Sequence, residues 1–352
     1  MDWRIWAGFI VFVLIAVTLD LVVFHRGNKT PKFKDAVGWT LLWTTMACLF
    51  GGVIWLLYER FPDANFSEEA RALTGHQAAV QYFSCWLLEQ SLSLDNVFVI
   101  ALVFASFRVP KQYQHRVLFW GILGAIVMRG AMIGLGAYLV ERFEWILYVF
   151  GALLLVSAAK LLFTKHEEEI PVEKHILVRL ARKVMPVTNQ FHEESFFVRV
   201  DGRLFATPLF LALILVEASD VLFAIDSVPA AFAVSREAFI IFTANAFAIF
   251  GLRSLYFVLL TMLDRFRYLQ FGLVVILAYV GVKILLKEVL HSYHLEEEAT
   301  WFSLAFIGLT LAASLLVSWI TDKREAGGPS DVLKEVQDES GREPAIDSAP
   351  NG

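Results

Sequence analysis

The stretch Leu87-Leu-Glu-Gln-Ser-Leu-Ser-Leu-Asp-Asn-Val-Phe-Val-Ile100 sets two carboxylates, Glu89 and Asp95, inside an apolar run long enough to cross a bilayer. Ionisable side chains at membrane depth are costly, and those that persist face the bundle interior and mark ion or substrate paths. A second stretch, Glu217-Ala-Ser-Asp-Val-Leu-Phe-Ala-Ile-Asp-Ser-Val-Pro229, repeats the arrangement. Superposing Asp95 on Asp226 brings Glu89 onto Asp220, Asn96 onto Ser227 and Val97 onto Val228. Two such stretches, in corresponding places of two halves, predict one site built by both.

Composition points the same way. The chain of 352 residues is 57% hydrophobic and 18% charged, whereas soluble domains carry about 25% charged residues. The net charge of −5 gives no ground for a nucleic-acid partner. Cys48 and Cys85 both lie in apolar segments, with neither a CxxC spacing nor a disulfide framework. No nucleotide-binding or hydrolase motif occurs in the right context, so neither a nucleotide-driven pump nor an enzyme is expected. The fold class is an all-α polytopic membrane protein.

Apolar windows of about 20 residues mark spanning helices. They fall at 3–24, 37–58, 77–106, 116–140, 144–164, 205–233, 238–261, 267–289 and 300–320, which makes nine. The first is read as a retained span, because it is longer than a signal-peptide core and lacks a small-residue cleavage site. With the N-terminus outside and the C-terminus in the cytoplasm, most Lys and Arg of the connections fall inside, as the positive-inside bias requires. Residues 1–321 then form the membrane domain, and 322–352 form a disordered cytoplasmic tail. The connection 165–204 is expected to hold a basic amphipathic helix over 175–184, on the inner membrane surface, and a hairpin turning at Asp201-Gly202.

The repeat extends past the carboxylates. Met128-Arg129-Gly130 is echoed by Leu252-Arg253-Ser254, Glu141-Arg142-Phe143 by Asp264-Arg265-Phe266, and Lys160 by Lys283. Each unit therefore holds three helices, 77–164 and 205–289. Three is odd, so the second unit crosses the bilayer in the opposite sense, an inverted repeat of the kind that builds secondary transporters. The helices 3–24, 37–58 and 300–320 stand outside the repeat.

On an unbroken helix, residues six apart are rotated by about 240° and separated by ~9 Å, so Glu89 and Asp95 cannot meet one ion from a straight helix. Pro229 removes a backbone donor and disfavours helical dihedrals at Val228, which predicts a break between Asp226 and Pro229 that frees carbonyls for a cation. The candidate ligands are Glu89, Asp95, Asn96, Glu217, Asp220, Asp226 and Asn245, with Ser227 beside them. All offer oxygen, which suits Mg²⁺, Ca²⁺ and Mn²⁺. Cys85, one turn before Glu89, reads as a small buried hydrophobe. Arg129 and Arg253 are expected to balance or gate the site; Asp20 is either a third such group or a snorkelling side chain. The competing reading is that these acids and bases merely pair and lock the bundle. The runs 166–169 and 291–298, with their His and Glu residues, read as solvated faces.

The same residues resemble the TerC family, named for tellurium resistance. The matching segments are Glu89-Gln-Ser-Leu-Ser-Leu-Asp-Asn-Val-Phe-Val99, Glu217 through Val234, and Thr243-Ala-Asn-Ala-Phe-Ala-Ile-Phe-Gly-Leu-Arg-Ser-Leu-Tyr-Phe257. Asp20, the 145–151 run and the 196–208 segment also fit, and Ala244 stands where serine is common in the family. The resemblance covers about residues 10 to 290. It implies a multi-pass protein of the bacterial inner membrane with two inverted three-helix repeats, and it makes Mn²⁺ the favoured substrate among the hard dications. The expected function is export of that cation from the cytoplasm by a secondary transporter, driven by proton antiport and linked to metal homeostasis or tellurium resistance. No permanently bound cofactor is expected; the partners are the lipid bilayer and the metal ion, with homo-oligomer formation open. The alternative is a membrane scaffold for a metal or tellurite stress-response complex, without transport.

Overall fold

The computed structural model describes residues 3–24, 33–61, 73–163, 176–188, 190–200, 202–259, 269–286 and 296–325. The helices are α1 (Trp3–Phe24), α2 (Phe33–Arg60), α3 (Gly75–Ser106), α4 (Lys111–Arg142), α5 (Ile146–Phe163) and α6 (Ile176–Val184). A hairpin of β1 (Phe197–Val200) and β2 (Arg203–Ala206) follows. The chain then continues through α7 (Pro208–Val234), α8 (Ala238–Leu259), α9 (Leu269–Leu285) and α10 (Glu296–Glu325).

Among the described residues, seven helices are long and apolar enough to cross a membrane: α2, α3, α4, α5, α7, α8 and α10. α1 and α9 supply shorter apolar stretches, Trp3–Leu19 and Gln270–Leu285. Among the described residues a helix occupies most of each of the nine expected windows, and seven of these helices meet the length and apolarity of a span. The chain is a multi-pass membrane protein.

Local chemistry explains the helix ends. α3 opens on a capping box, in which the Thr74 side chain accepts from the Gln77 amide and the Gln77 side chain accepts from Thr74 N–H. α4 follows Pro110, and α7 carries Pro208 in its first turn, where no intrahelical donor is needed. The hairpin forms as expected: Val200 pairs with Arg203, and Gly202 turns the chain at φ +77°. Asp201 lies outside the described residues.

Two expectations are corrected. α7 runs without a break from Pro208 to Val234 with Pro229 inside it. The proline removes one ladder bond, but tight packing of Val228, Pro229, Ala230 and Ala231 in the interior holds the helix through it. α10 continues to Glu325, past the expected boundary at 321, carrying its polar end Asp322-Lys-Arg-Glu325 as helix. The rest of the predicted tail, the 166–169 run, the 264–266 motif and Lys287 lie outside the described residues, as do the side chains of Asp20 and of 296–298.

The core is organised around α8, which is buried along most of its length against α2, α3 and α4. An aromatic layer closes its outer side: Phe9 meets Phe239, Phe242 and Phe247, and Trp43 stacks on Phe250 at 4.9 Å. α4 packs on α7, α3 on α7, and α5 on α9. The α5–α9 contact is reciprocal. A Cβ on Gly151 would lie 3.1 Å from the Gly281 carbonyl, and one on Gly281 would lie 3.0 Å from the Gly151 carbonyl. Backbone approach this close favours glycine on both helices.

Candidate functional site

The centre of the bundle is a charged cluster on α3, α4 and α7. Arg129, only 1% exposed, donates from Nη1 to Glu89 Oε2 at 2.5 Å. Its other edge forks onto Asp220, with Nη2 2.9 Å from Oδ1 and Nε 3.3 Å from Oδ2. Charge-assisted, bidentate bonds of this type are the strong ones. The Asn96 amide sits 3.5 Å from Asp220 Oδ1. Turned so that its oxygen accepts from Arg129 Nη2 at 3.0 Å and its NH₂ donates to the Leu92 carbonyl at 3.2 Å, both of its polar atoms are satisfied. Glu89 is fully buried, yet its Oε1 has no hydrogen-bond partner. Within this cluster, one guanidinium faces two carboxylates.

Register explains why these residues converge. Cys85 meets the Ala231 carbonyl, and Asn96 meets Asp220. Advancing along α3 therefore means retreating by the same amount along α7, so the two motif helices cross antiparallel. That register sets Glu89 across from Ser227, whose hydroxyl is also buried without a partner. Glu89 and Asp220 occupy equivalent places in the two motifs, as do Asn96 and Ser227.

Glu217 lies one turn before Asp220 on α7, half-buried. Its carboxylate lies over Gly124 of α4, where a Cβ would collide with it. Asp226 faces elsewhere and accepts from Ser157 Oγ of α5 at 2.5 Å. Asp95 is half-buried, a turn and a half beyond Glu89. Asn245 and Arg253, on α8, are 1% and 3% exposed, and the Asn245 amide nitrogen has no partner. The seven candidate ligands therefore do not form one nest: Glu89, Asn96 and Asp220 meet around Arg129, Glu217 adjoins them, and Asp226 stands apart with Ser157. Among the described residues no three His, Cys, Asp or Glu side chains converge as a ready metal site. Sequence reasoning missed Ser157 and Gly124. Ser157 sits one turn before Lys160 in an otherwise apolar helix, a spacing that marks a polar stripe; Gly124 left no signal beyond its small size.

The profile described as "Integral membrane protein TerC family" matches residues 74–326. The chain belongs to the TerC family. The matched region holds the whole cluster, from Glu89 to Asp226, and both repeated motifs. Among curated proteins, the chain is 42% identical over 330 residues to the uncharacterised membrane protein STKORF319 of Myxococcus xanthus, covering 94% of this chain and 96% of that one. It is 43% identical over 288 residues to Alx of Escherichia coli (strain K12), provisionally named a membrane-bound redox modulator, covering 82% and 87%. A membrane protein of Rickettsia bellii is 37% identical over 312 residues, covering 89% and 94%. No solved structure matches. This TerC-family chain thus resembles its relatives over nearly their full lengths.

Proposed function

We propose that this TerC-family protein is a secondary transporter that exports a divalent metal cation, with Mn²⁺ as the favoured substrate, across the bacterial inner membrane. One observation carries the reading: two carboxylates, from equivalent places in two repeated motifs, meet at the crossing of their helices and share a single arginine. Buried ion pairs add little stability compared with apolar packing, so retaining a two-to-one cluster at membrane depth fits a site better than a lock.

Arg129 acts in this reading as a tethered cation. A dication entering the crossing binds Glu89 and Asp220, with Asn96 and Glu217 adding oxygen, and the guanidinium withdraws. Arg129 thereby keeps the empty carriers from carrying like charge unopposed. The antiparallel crossing and the reciprocal Gly151–Gly281 contact support two inverted repeats, 77–164 and 205–289, that rock about this crossing. Exporting a dication against an inside-negative potential costs about 4.6 kcal/mol per 100 mV, twice the single-charge figure. Inward proton movement is the source that needs no nucleotide site, and the same carboxylates exchange metal for protons.

The test is metal movement into inside-out vesicles containing the purified protein, comparing Mn²⁺, Ca²⁺, Mg²⁺ and Zn²⁺ with and without a proton gradient. Gradient-dependent Mn²⁺ accumulation that fails in Glu89→Gln and Asp220→Asn supports the reading; no movement of any metal by folded protein sinks it. A scaffold is the second reading, and the ordered segment before α7 favours it. There Glu194 reaches His115 at 3.5 Å and Arg116 at 3.7 Å, and Arg116 lies over the Phe196 ring. If deleting 190–206 abolishes the cellular phenotype while neutralising the acids does not, the scaffold stands.

A further inference from the structure

The segment between α5 and α7 contains a helix with two apolar sides. At 100° per residue, Leu177, Val178 and Ala181 of α6 share one side. Val178 is 1% exposed, Leu177 and Ala181 pack against the core, and α6 rests on α7. An adjacent stripe, about 100° further round, carries Ile176, Leu180 and Val184, spaced at i, i+4 and i+8 and 75%, 57% and 79% exposed. Arg179 and Lys183 border that stripe, Arg182 lies one step further round, and all three are exposed. The protein side of the helix is therefore already occupied, and a second apolar face with a basic margin points away from the bundle.

We propose that this outer face docks on anionic phospholipid at the edge of the leaflet that α6 borders. Two features on the helix select that occupant. An apolar stripe flanked by bases is the chemistry of a helix lying in the headgroup–acyl boundary. The position of α6, between one spanning helix and another on which it rests, holds it at the bilayer surface. Ile176, Leu180 and Val184 enter the boundary while Arg179, Arg182 and Lys183 extend their charged ends to phosphates. Anionic lipid favours this arrangement by about fivefold in partitioning for each base near the surface. α6 meanwhile rests on α7, so the lipid contact bears on the helix that carries Glu217, Asp220 and Asp226. The inference does not depend on the transport reading.

The test uses the full chain in nanodiscs holding one copy each, made of phosphatidylcholine alone or mixed with phosphatidylglycerol. In a Cys48→Ala/Cys85→Ala background, single spin labels are placed at 176, 178, 180 and 184, and their access to oxygen and to a water-soluble nickel chelate is measured. Labels at 176, 180 and 184 are expected to be oxygen-accessible and nickel-shielded, most strongly with phosphatidylglycerol. Arg179→Gln/Arg182→Gln/Lys183→Gln is expected to erase the dependence on lipid charge. Full nickel access at 180 in both lipids overturns the proposal, and so does shielding from both reagents, which means a protein covers the face. If the cysteine-free chain does not fold, amide exchange of the unsubstituted chain decides: slower exchange over 176–184 in anionic discs supports docking, and equal exchange in the two lipids refutes it.

Discussion

Replacing Arg129 with Gln leaves Glu89 and Asp220 facing each other with no cation between them. Three charge-assisted bonds vanish together. Removing one partner of a buried ion pair costs about 3–5 kcal/mol, because the remaining charge stays desolvated. Arg129→Gln is therefore expected to lose about that much stability in the presence of a chelator, read by unfolding in detergent. Converting all three members together, Arg129→Met with Glu89→Gln and Asp220→Asn, removes every charge and is expected to restore stability to within ~1 kcal/mol of the starting chain. The transport reading adds a second outcome. In the natural chain an entering dication must release the guanidinium, whereas in Arg129→Gln it has no competitor. A difference of about 3–4 kcal/mol corresponds to Mn²⁺ binding tighter by roughly two to three powers of ten. Bound metal stabilises by mass action, so Mn²⁺ should raise the variant's stability far more than that of the natural chain. If Arg129→Gln is as stable as the natural chain in chelator and responds no more to Mn²⁺, the tethered-cation reasoning is wrong.

Asp95→Asn and Asp226→Asn should each stop metal flux while the protein remains in the membrane; undiminished flux in both would remove these positions from the path. Gly281→Ala should destabilise by about 1–3 kcal/mol through overpacking against the Gly151 carbonyl. Gly308→Ala, whose Cβ would meet its nearest neighbour at 3.9 Å, should stay within ~0.5 kcal/mol, and equal effects in the two would discount the close helix contact. Gly202→Ala puts a side chain at φ +77°, a strain of about 1–2 kcal/mol; proteolysis should speed up at the hairpin while global unfolding shifts little. Tyr82→Phe deletes a fully buried bond to the Ala47 carbonyl and should cost about 1 kcal/mol in thermal unfolding.

The helices were legible because a bilayer-spanning helix announces itself by length and apolarity, and among the described residues a helix occupies most of each expected window. Span number was less legible: nine windows were expected, and among the described residues seven helices meet the length and apolarity of a span. The cluster was legible in its members: Glu89, Asn96, Asp220 and Arg129 were all singled out, and they meet. Its geometry was not. The rule that proline breaks helices suggested a gap at Pro229, yet the surrounding helices hold α7 continuous, as a crowded membrane interior can. Spacing along one chain also could not reveal that Asp226 turns to Ser157 rather than to Asp220, because that choice is made by α5, a helix from the other half.

Glu89 and Arg129 sit on consecutive helices joined by the short turn 107–110, whereas Asp220 lies on α7, which contains no Lys or Arg and is synthesised later. A lone charge at the centre of an inserting helix carries a penalty of about 2.5–3.5 kcal/mol. α3 and α4 form a helical hairpin in which the Arg129 guanidinium neutralises the Glu89 carboxylate. α7 brings three acids, Glu217, Asp220 and Asp226, with no base of its own. Asp220 takes Nε and Nη2 of an arginine that α3 already holds through Nη1, while Asp226 turns to Ser157 of α5. The acids of the later-made half thus find their partners on helices that the ribosome has already delivered.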